Sequence, residues 1–403
     1  MTFIADFHIH SHYSMATSIE LTPANLNKWA KIKGITVLGT GDCIHPGWLN
    51  ELKDNLVPEE NGLFCLKSAN DSHKSYFILT TEISSIYKKN GKVRKVHNIC
   101  VLSDFDSAEK LQNSLSKIGN IHSDGRPILG LDSKNLLEMV LETSEKAFLI
   151  PAHIWTPWFS VLGSRSGFDS IEECFEDLTQ YIFAVETGLS SDPPMNRRCS
   201  FLDPFTLVSN SDAHSLQKLG REATLFDTEI SFQGIYNALK TRDGFAGTIE
   251  FFPQEGKYYF DGHRKCDICW NPVTTIDNNS ICPKCGKPVT KGVMYRVTEL
   301  ADRTIEQGIK LSEDFYSITS LIDIISEITN KSPNSKTVQT EYLRLIESLG
   351  AELEILLNIN LSDIKTVGGK ELSEGIKRLR AGYVSIKEGF DGEFGEIKIK
   401  TKT

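Results

Sequence analysis

Three histidines, His8, His10 and His12, occupy alternate positions in the stretch IADFHIHSHYS, straight after an apolar opening and beyond Asp6. Further along the chain, Asp42, Glu82, His97, His153, Asp212 and His214 each fall within or just after a short apolar run. Neutral imidazole and carboxylate together suit Zn, Mn and Fe, and one carboxylate can bridge two ions. Two ions roughly 3.5 to 4 Å apart can clamp the attacking and leaving oxygens of a phosphoryl displacement, and a bound ion brings the pKa of its water towards ~7. A separate protein base is then unnecessary. A lone histidine after an apolar run is more often a packed core residue than a ligand. The repetition of ligand-type side chains at equivalent places is what points to a metal centre.

A second constellation is CDIC followed by CPKC. Cys266 and Cys269 are separated from Cys282 and Cys285 by residues 270–281, the spacing of a zinc ribbon. Four protein thiolates leave no open coordination position, so this zinc is expected to be structural. A ribbon this short buries little apolar core, and the ion supplies folding energy instead.

The elements that must position these residues alternate in type. Strand candidates cover 3–10, 35–39, 76–83, 95–102, 147–153, 182–186 and 206–211. Between them lie helix patterns such as TPANLNKWAKIKG, with Thr22 as N-cap, Pro23 at the first helical position and Gly34 as the stop. DSKNLLEMVLETSEK repeats its apolar residues at helical spacing. Such alternation predicts an α/β fold with a mostly parallel sheet, either a barrel or a doubly wound arrangement. In a parallel barrel the C-terminal strand ends converge on one face, and the metal-competent side chains sit at those ends. Period-2 alternation lets His8 and His10 point the same way, as it does Asp212 and His214.

The composition changes near residue 256, which divides the chain into an α/β unit over 1–255 that carries the metal-competent residues, a cysteine ribbon over 256–297 and a helical C-terminal unit over 298–403. The last has helical stretches at 313–329 and 338–357, then a helix, a turn and a hairpin. Between Lys257 and Arg296 lie seven Lys and Arg against three Asp, with Tyr258, Tyr259, Phe260, Trp270 and Tyr295 interleaved. Bases stack and phosphates pair on such mixtures, although a solvated surface looks similar.

The 403 residues are 40% hydrophobic and 24% charged, the composition of a soluble globular chain. No run approaches the ~20 apolar residues of a membrane span, and the N-terminus lacks signal-peptide regions, so a cytoplasmic protein without membrane partners is expected. Nine cysteines, five scattered singly, fit a reducing compartment better than a disulfide framework. The net charge of -9 neither requires nor excludes a nucleic-acid partner, because only charge at the contact matters.

The pieces DFHIH (6–10), TGD (40–42), Glu82, His97, His153 and SDAH (211–214) resemble the polymerase and histidinol phosphatase (PHP) superfamily of metallophosphoesterases. That resemblance implies a distorted (β/α)7 barrel over about the first 250 residues, with two or three divalent ions (Zn, Mn or Mg). It implies that His8, His10, Glu82 and Asp212 hold one ion, and that Glu82 bridges to a second held by His97 and His153. His214 would serve a third. Two departures stand out. Asp42 takes the ligand place of a histidine, and Met15 and Ala16 stand where many members carry an acid or His, a gap that His12 is a candidate to fill. Asp42, Glu82, Asp212 and His214 are the implied catalytic groups.

Longer stretches, among them HIWTPWFSVLGSRSGFDSIEECF (153–175), ETGLSSDPPMNRRCSFLD (186–203) and FFPQEGKYYFDGHRKCDICW (251–270), are similar to the endonuclease Q branch of that superfamily. This branch appends a four-cysteine ribbon and a helical tail to the barrel. The similarity implies a DNA repair endonuclease that hydrolyses the phosphodiester 5′ of deaminated bases (uracil, hypoxanthine, xanthine) and abasic sites. Trp155, Trp158 and Phe159 are candidates for the base pocket, and Arg165, Arg197 and Arg198 for phosphate contacts. The helical unit is a further candidate DNA contact. The expected partners are damaged DNA and, as a candidate, a sliding clamp, and the expected state is a monomer. Two rivals are a phosphatase of small phosphate monoesters on the same barrel and a DNA-binding scaffold whose metals are structural.

Overall fold

The computed structural model describes residues 2–68 and 74–399; positions 1, 69–73 and 400–403 lie outside the described residues. Its first three major strands, Thr2–Asp6, Val37–Gly39 and Tyr76–Lys89, run parallel in that order. The intervening helix Pro23–Lys33 forms on the signals its sequence carries. The Thr22 side chain accepts from Asn25 N, Pro23 opens the first turn, and Gly34 closes the last at φ 88°.

The next strand corrects an expectation. Tyr76–Lys89 turns back at once into Lys92–Leu102, and the two pair antiparallel along their whole length. Asn90 and Gly91 both adopt positive φ (51° and 73°), as a tight two-residue hairpin requires. No crossover helix intervenes, so 95–102 is not another parallel strand. Phe148–Pro151 pairs antiparallel with Lys92–Leu102 and regains the original direction. Ala184–Glu186 and Thr206–Val208 form a parallel pair. The ring closes where Ile9 bridges Ala213 and His10 N donates to Ala213 O at 3.0 Å. These seven strands are the distorted (β/α)7 barrel, with one strand reversed.

Alternation divides the core in two. Phe3, Ala5, Phe7, Ile78, Ile99, Ile150 and Val208 gather on the enclosed face, together with Phe232, Ile235 and Leu239 of the helix Phe232–Thr241. Ile4, Leu38, Leu79, Cys100, Leu149 and Leu207 face outward onto helices such as Pro23–Lys33 and Ser133–Thr143. The strand positions after each inward apolar residue form the rim of the enclosed face, and there the polar side chains begin.

The sheet continues past the barrel through Ala223–Asp227, Phe245–Phe251 and Phe315–Ile318. The stretch 313–329 therefore opens as a strand and becomes helical only over Leu321–Thr329, capped by Ser320. The stretch 338–357 is two helices, Lys336–Leu349 and Glu352–Leu357, broken at Gly350, whose φ is 105°. Leu361–Arg380 and the hairpin Ser385–Lys387 with Glu396–Lys398 complete the tail as expected. A buried ion pair joins tail to barrel: Lys33 Nζ lies 2.5 Å from Glu352, which also accepts from Tyr342 OH and Leu321 N.

Candidate metal centre

Glu82 is two residues beyond Thr80 and four beyond Ile78, so the strand's period of two puts it on the enclosed face at the rim. Ile99 lies opposite Glu82, and His97 shares the face of Ile99 on the reversed strand. His97 thus enters the rim from within its strand and not from a C-terminal end. The two carboxylate oxygens of Glu82 serve different neighbours. Oε1 lies 2.6 Å from His97 Nδ1 and 3.3 Å from His153 Nε2. Oε2 lies 3.5 Å from His8 Nε2 and 3.4 Å from His10 Nε2. Asp212 Oδ1 joins the second group, 3.1 Å from His10 Nε2 and 3.7 Å from His8 Nε2. The result is two ligand sets, His8, His10, Glu82 and Asp212, and Glu82, His97 and His153, each with its ligand atoms within 4.8 Å of one another.

The donor set fits divalent cations. His8 Nδ1 is held by both oxygens of Glu186 (3.1 and 3.0 Å), which keeps a proton on that nitrogen and turns Nε2 toward the rim. That Nε2 is buried without a hydrogen-bond partner, which fits a metal ligand. Burial disfavours protonated His8 and His10, yet the carboxylates around them outweigh burial and hold both pKa values well above the ordinary one. Burial would raise Glu82 and Asp212, but the surrounding histidines keep both below the usual carboxylate range. A cluster of acids that demands this much positive charge is a cation site.

Backbone strain marks the same residues. Asp42, His153 and Asp212 sit at φ 48°, 28° and 47°, a region that costs a non-glycine residue of order 1–3 kcal/mol. Gly188 is required beside them, because a Cβ there would collide with His153.

Three expected ligands stand outside both sets. Asp42 sits behind His10, with Oδ1 3.2 Å from its Nδ1, while Oδ2 accepts from Ser11 N at 2.7 Å and Ser14 Oγ at 2.8 Å, so one oxygen orients the imidazole and the other is held by the loop. His12 points away, with Nδ1 3.2 Å from Leu21 O and Nε2 3.4 Å from Glu51. The chain turns over Ser11–Ser14, where Ser14 N donates to Ser11 O at 3.2 Å, and this takes His12 away from His8 and His10. His214 borders the site, with its ring 4.4 Å from that of His10 and Nδ1 2.9 Å from Asp212 O, and it is a third exposed. Sequence reasoning missed Glu186 and Arg126, whose Nη1 lies 3.3 Å from Glu82 Oε2. Glu186 ends the strand candidate IFAVE, so the rule that selected Glu82 applied to it also; Arg126 lies in a loop with no periodic marker.

The flanking candidates divide as sharply. Trp155 is wholly buried, with its indole N–H on Asn196 Oδ1 at 2.8 Å, so it supports the loop from below and does not line a pocket. Trp158 is 42% exposed and meets Tyr258 edge-on at 5.7 Å, with the Arg165 guanidinium 5.9 Å from its ring. Both aromatics line a cleft of about 230 Å³ together with Thr156 and Ser190. Thr156 also bonds His153 Nδ1 at 3.1 Å, so this cleft begins one residue contact from the metal ligands. The Phe159 ring lies tilted by 43° against that of His97, with centroids 4.7 Å apart. Arg197 is buried against Glu313 and the carbonyls of Leu202 and Phe205, and Arg198 is buried beside Thr298. Neither is free to meet a phosphate.

In the ribbon, Cys266, Cys282 and Cys285 gather with His263 in one set. Cys269 lies outside it. Ile268 faces the small apolar core of the ribbon, and alternation turns Cys269 outward, where it is exposed. Burial pushes the Cys282 thiol up, but backbone N–H groups of Cys285 and Lys284 outweigh it and bring the value down to about 6, whereas burial and the neighbouring Cys285 and Cys282 thiols push Cys266 up to about 11. Arg296, counted with the basic surface, is instead buried on Leu162 O and Phe168 O and ties the ribbon to the barrel loop.

A barrel with this rim of shared histidines and carboxylates is a PHP-class metallophosphoesterase scaffold. Residues 204–243 match the PHP-associated family model, and residues 320–383 match the MJ0043 C-terminal domain. The chain is 30% identical to endonuclease Q in its complex with a 27-mer duplex substrate bearing an abasic lesion, over 99% of this chain and 97% of that one, with a TM-score of 0.84. It is 29% identical to the lesion-specific endonuclease PfuEndoQ of Pyrococcus furiosus, over 99% and 95%, with a TM-score of 0.86. The protein MJ0043 of Methanocaldococcus jannaschii is 33% identical over 254 residues, 61% of this chain, and the chain spans only 31% of that relative's length. The chain belongs to the endonuclease Q family. Among the described residues no helix is long and apolar enough to cross a membrane.

Proposed function

We propose that this protein is a DNA repair endonuclease that hydrolyses the phosphodiester 5′ of uracil, hypoxanthine, xanthine or an abasic site, leaving 3′-hydroxyl and 5′-phosphate ends. The observation that carries the reading is Glu82, whose two oxygens face two separate ligand sets on an accessible rim. His8, His10, Glu82 and Asp212, and Glu82, His97 and His153, would hold divalent cations, which would supply water activation at neutral pH and stabilise charge in an in-line displacement. The protein's own residues prepare the site. Glu186 and Asp42 fix the tautomers and angles of His8 and His10, and Thr156 does the same for His153. Similarity over nearly the whole chain to an endonuclease bound to abasic duplex supports DNA as the substrate.

To inspect a base in duplex, such an enzyme extrudes it, at a cost of a few kcal/mol that is least for damaged or mispaired bases. The cleft of Trp158 and Tyr258 offers aromatic faces for the extruded base next to the metal rim, and Arg165 at its edge is placed for the backbone. Uracil and hypoxanthine share a carbonyl where cytosine and adenine carry an amine, which gives such a pocket a feature to select.

The test is a labelled duplex with one dU, dI or abasic site, incubated beside simple phosphate monoesters. The expected result is one nick 5′ of the lesion with little monoester turnover. Monoester hydrolysis with intact DNA would favour a small-molecule phosphatase.

A further inference from the structure

We infer that Arg126 is a further catalytic residue, with its guanidinium contacting a non-bridging oxygen of the phosphate being cut. This inference rests on the phosphodiesterase reading above. Arg126 reaches from the solvent edge, 28% exposed, to the wholly buried Glu82, where Nη1 meets Oε2 at 3.3 Å. A guanidinium has five N–H donors in a planar fork. Glu82 engages one, and the remainder are available to an anion seated above the shared carboxylate.

The loop that carries Arg126 is fixed on both sides. Asp124 Oδ1 accepts from Met15 N and from Arg126 N, each at 3.1 Å. Gly125 N donates to Tyr13 O at 3.0 Å, and Pro127 O accepts from Ser84 N at 3.0 Å. A Cβ at Gly125 would collide with the Asp42 carboxylate, so the loop lies directly on the wall of the site. The arginine is therefore held in place before any substrate arrives, as an electrostatic stabiliser should be.

Nearby arginines are committed elsewhere. Arg221 holds the carbonyls of Ser211 and Asp212, Arg94 takes Gly167 O, and Arg296 holds Leu162 O and Phe168 O. Arg126 differs because its partner is the carboxylate common to both ligand sets.

In the reaction, the water oxygen bonds to phosphorus as the P–O3′ bond breaks. A proton from the water ends on the departing O3′, and no electrons pass to or from any other group. Negative charge grows on the non-bridging oxygens meanwhile. A guanidinium N–H held in a planar fork can be aimed at one such oxygen in a way a lysine ammonium cannot. Its protons stay on nitrogen throughout.

The experiment compares wild type, Arg126→Ala and Arg126→Lys on an abasic duplex, with and without added guanidinium ion. Loss of one preorganised donor predicts a fall in kcat of about 10²- to 10³-fold for Arg126→Ala, with KM, duplex affinity and barrel metal content near wild type. Guanidinium in solution should restore part of that loss, and Arg126→Lys should fall between. Wild-type kcat in Arg126→Ala would overturn the inference. So would a loss accompanied by depleted metal and insensitive to guanidinium, which would make Arg126 only a positioning residue for Glu82. If wild type itself failed to nick, the nuclease reading would fall and this inference with it.

Discussion

Glu186 touches both halves of the metal centre: it holds the His8 ring by both oxygens and accepts the His153 backbone N–H at 2.7 Å. Glu186→Gln keeps the shape but places an amide donor against the His8 Nδ1–H. We expect affinity for the barrel metals, measured by chelator competition, to fall about 10- to 100-fold, with partial recovery in Glu186→Asp. Unchanged affinity would show that His8 needs no such partner. At this level the sequence exposed the clustering residues well, because a histidine or carboxylate ending an apolar run is a residue type at a predictable place. His8, His10, Glu82, His97, His153 and Asp212 all meet as expected. Asp42 and His12 carry the same marks yet serve other ends, because second-layer and first-layer carboxylates look alike until backbone angles are known. Trp155 and Arg197 show the same limit from burial: neither type nor spacing reveals which face of a loop a side chain takes.

The helices and strands were legible to within a few residues where local chemistry fixed them, as at Thr22, Pro23 and Gly34. The hairpin was missed although KKNGK carries its turn, since periodicity gives the position of a strand but not its direction. The strands also bury acids that belong to neither of the two histidine and carboxylate sets. Glu222, before the strand Ala223–Asp227, and Glu250, within Phe245–Phe251, are both wholly buried. Glu222 Oε1 accepts from Phe251 N, while its Oε2 has no hydrogen-bond partner. Burial, then the charges of Glu250 and Glu186, push Glu222 well above the usual 4.5. A carboxyl raised in the folded state keeps a proton that the unfolded chain releases, so its contribution is full below the unfolded value and lost as pH rises through the folded one. Glu222→Gln cannot ionise. Its melting temperature relative to wild type should therefore rise between about pH 5 and about pH 8 in thermal scans. A constant offset across that range would mean that Glu222 is already ionised in the fold.

The whole chain is tied together more closely than a division at 255 and 297 implies. Phe315–Ile318 extends the barrel's own sheet, Arg296 fastens the ribbon to the loop after His153, and Lys33 with Glu352 locks the helical tail to the first barrel helix. Such long-range joins have no local signature, which is why composition could mark the change near residue 256 but not the seams. They also place the aromatic edge of the ribbon segment, Tyr258, across the cleft from Trp158, so the proposed base pocket needs both parts of the chain. The central claim is that cations gripped by the Glu82 rim cut DNA beside that pocket. The most direct test strips the protein with chelator, verifies the loss of barrel metals by elemental analysis, and follows nicking of a single-abasic-site duplex before and after a divalent ion is returned. The account predicts that stripping abolishes the nick while duplex binding persists, and that the returned ion restores cleavage at the same 5′ position. Cleavage at the original rate by protein whose rim holds no ions would contradict it.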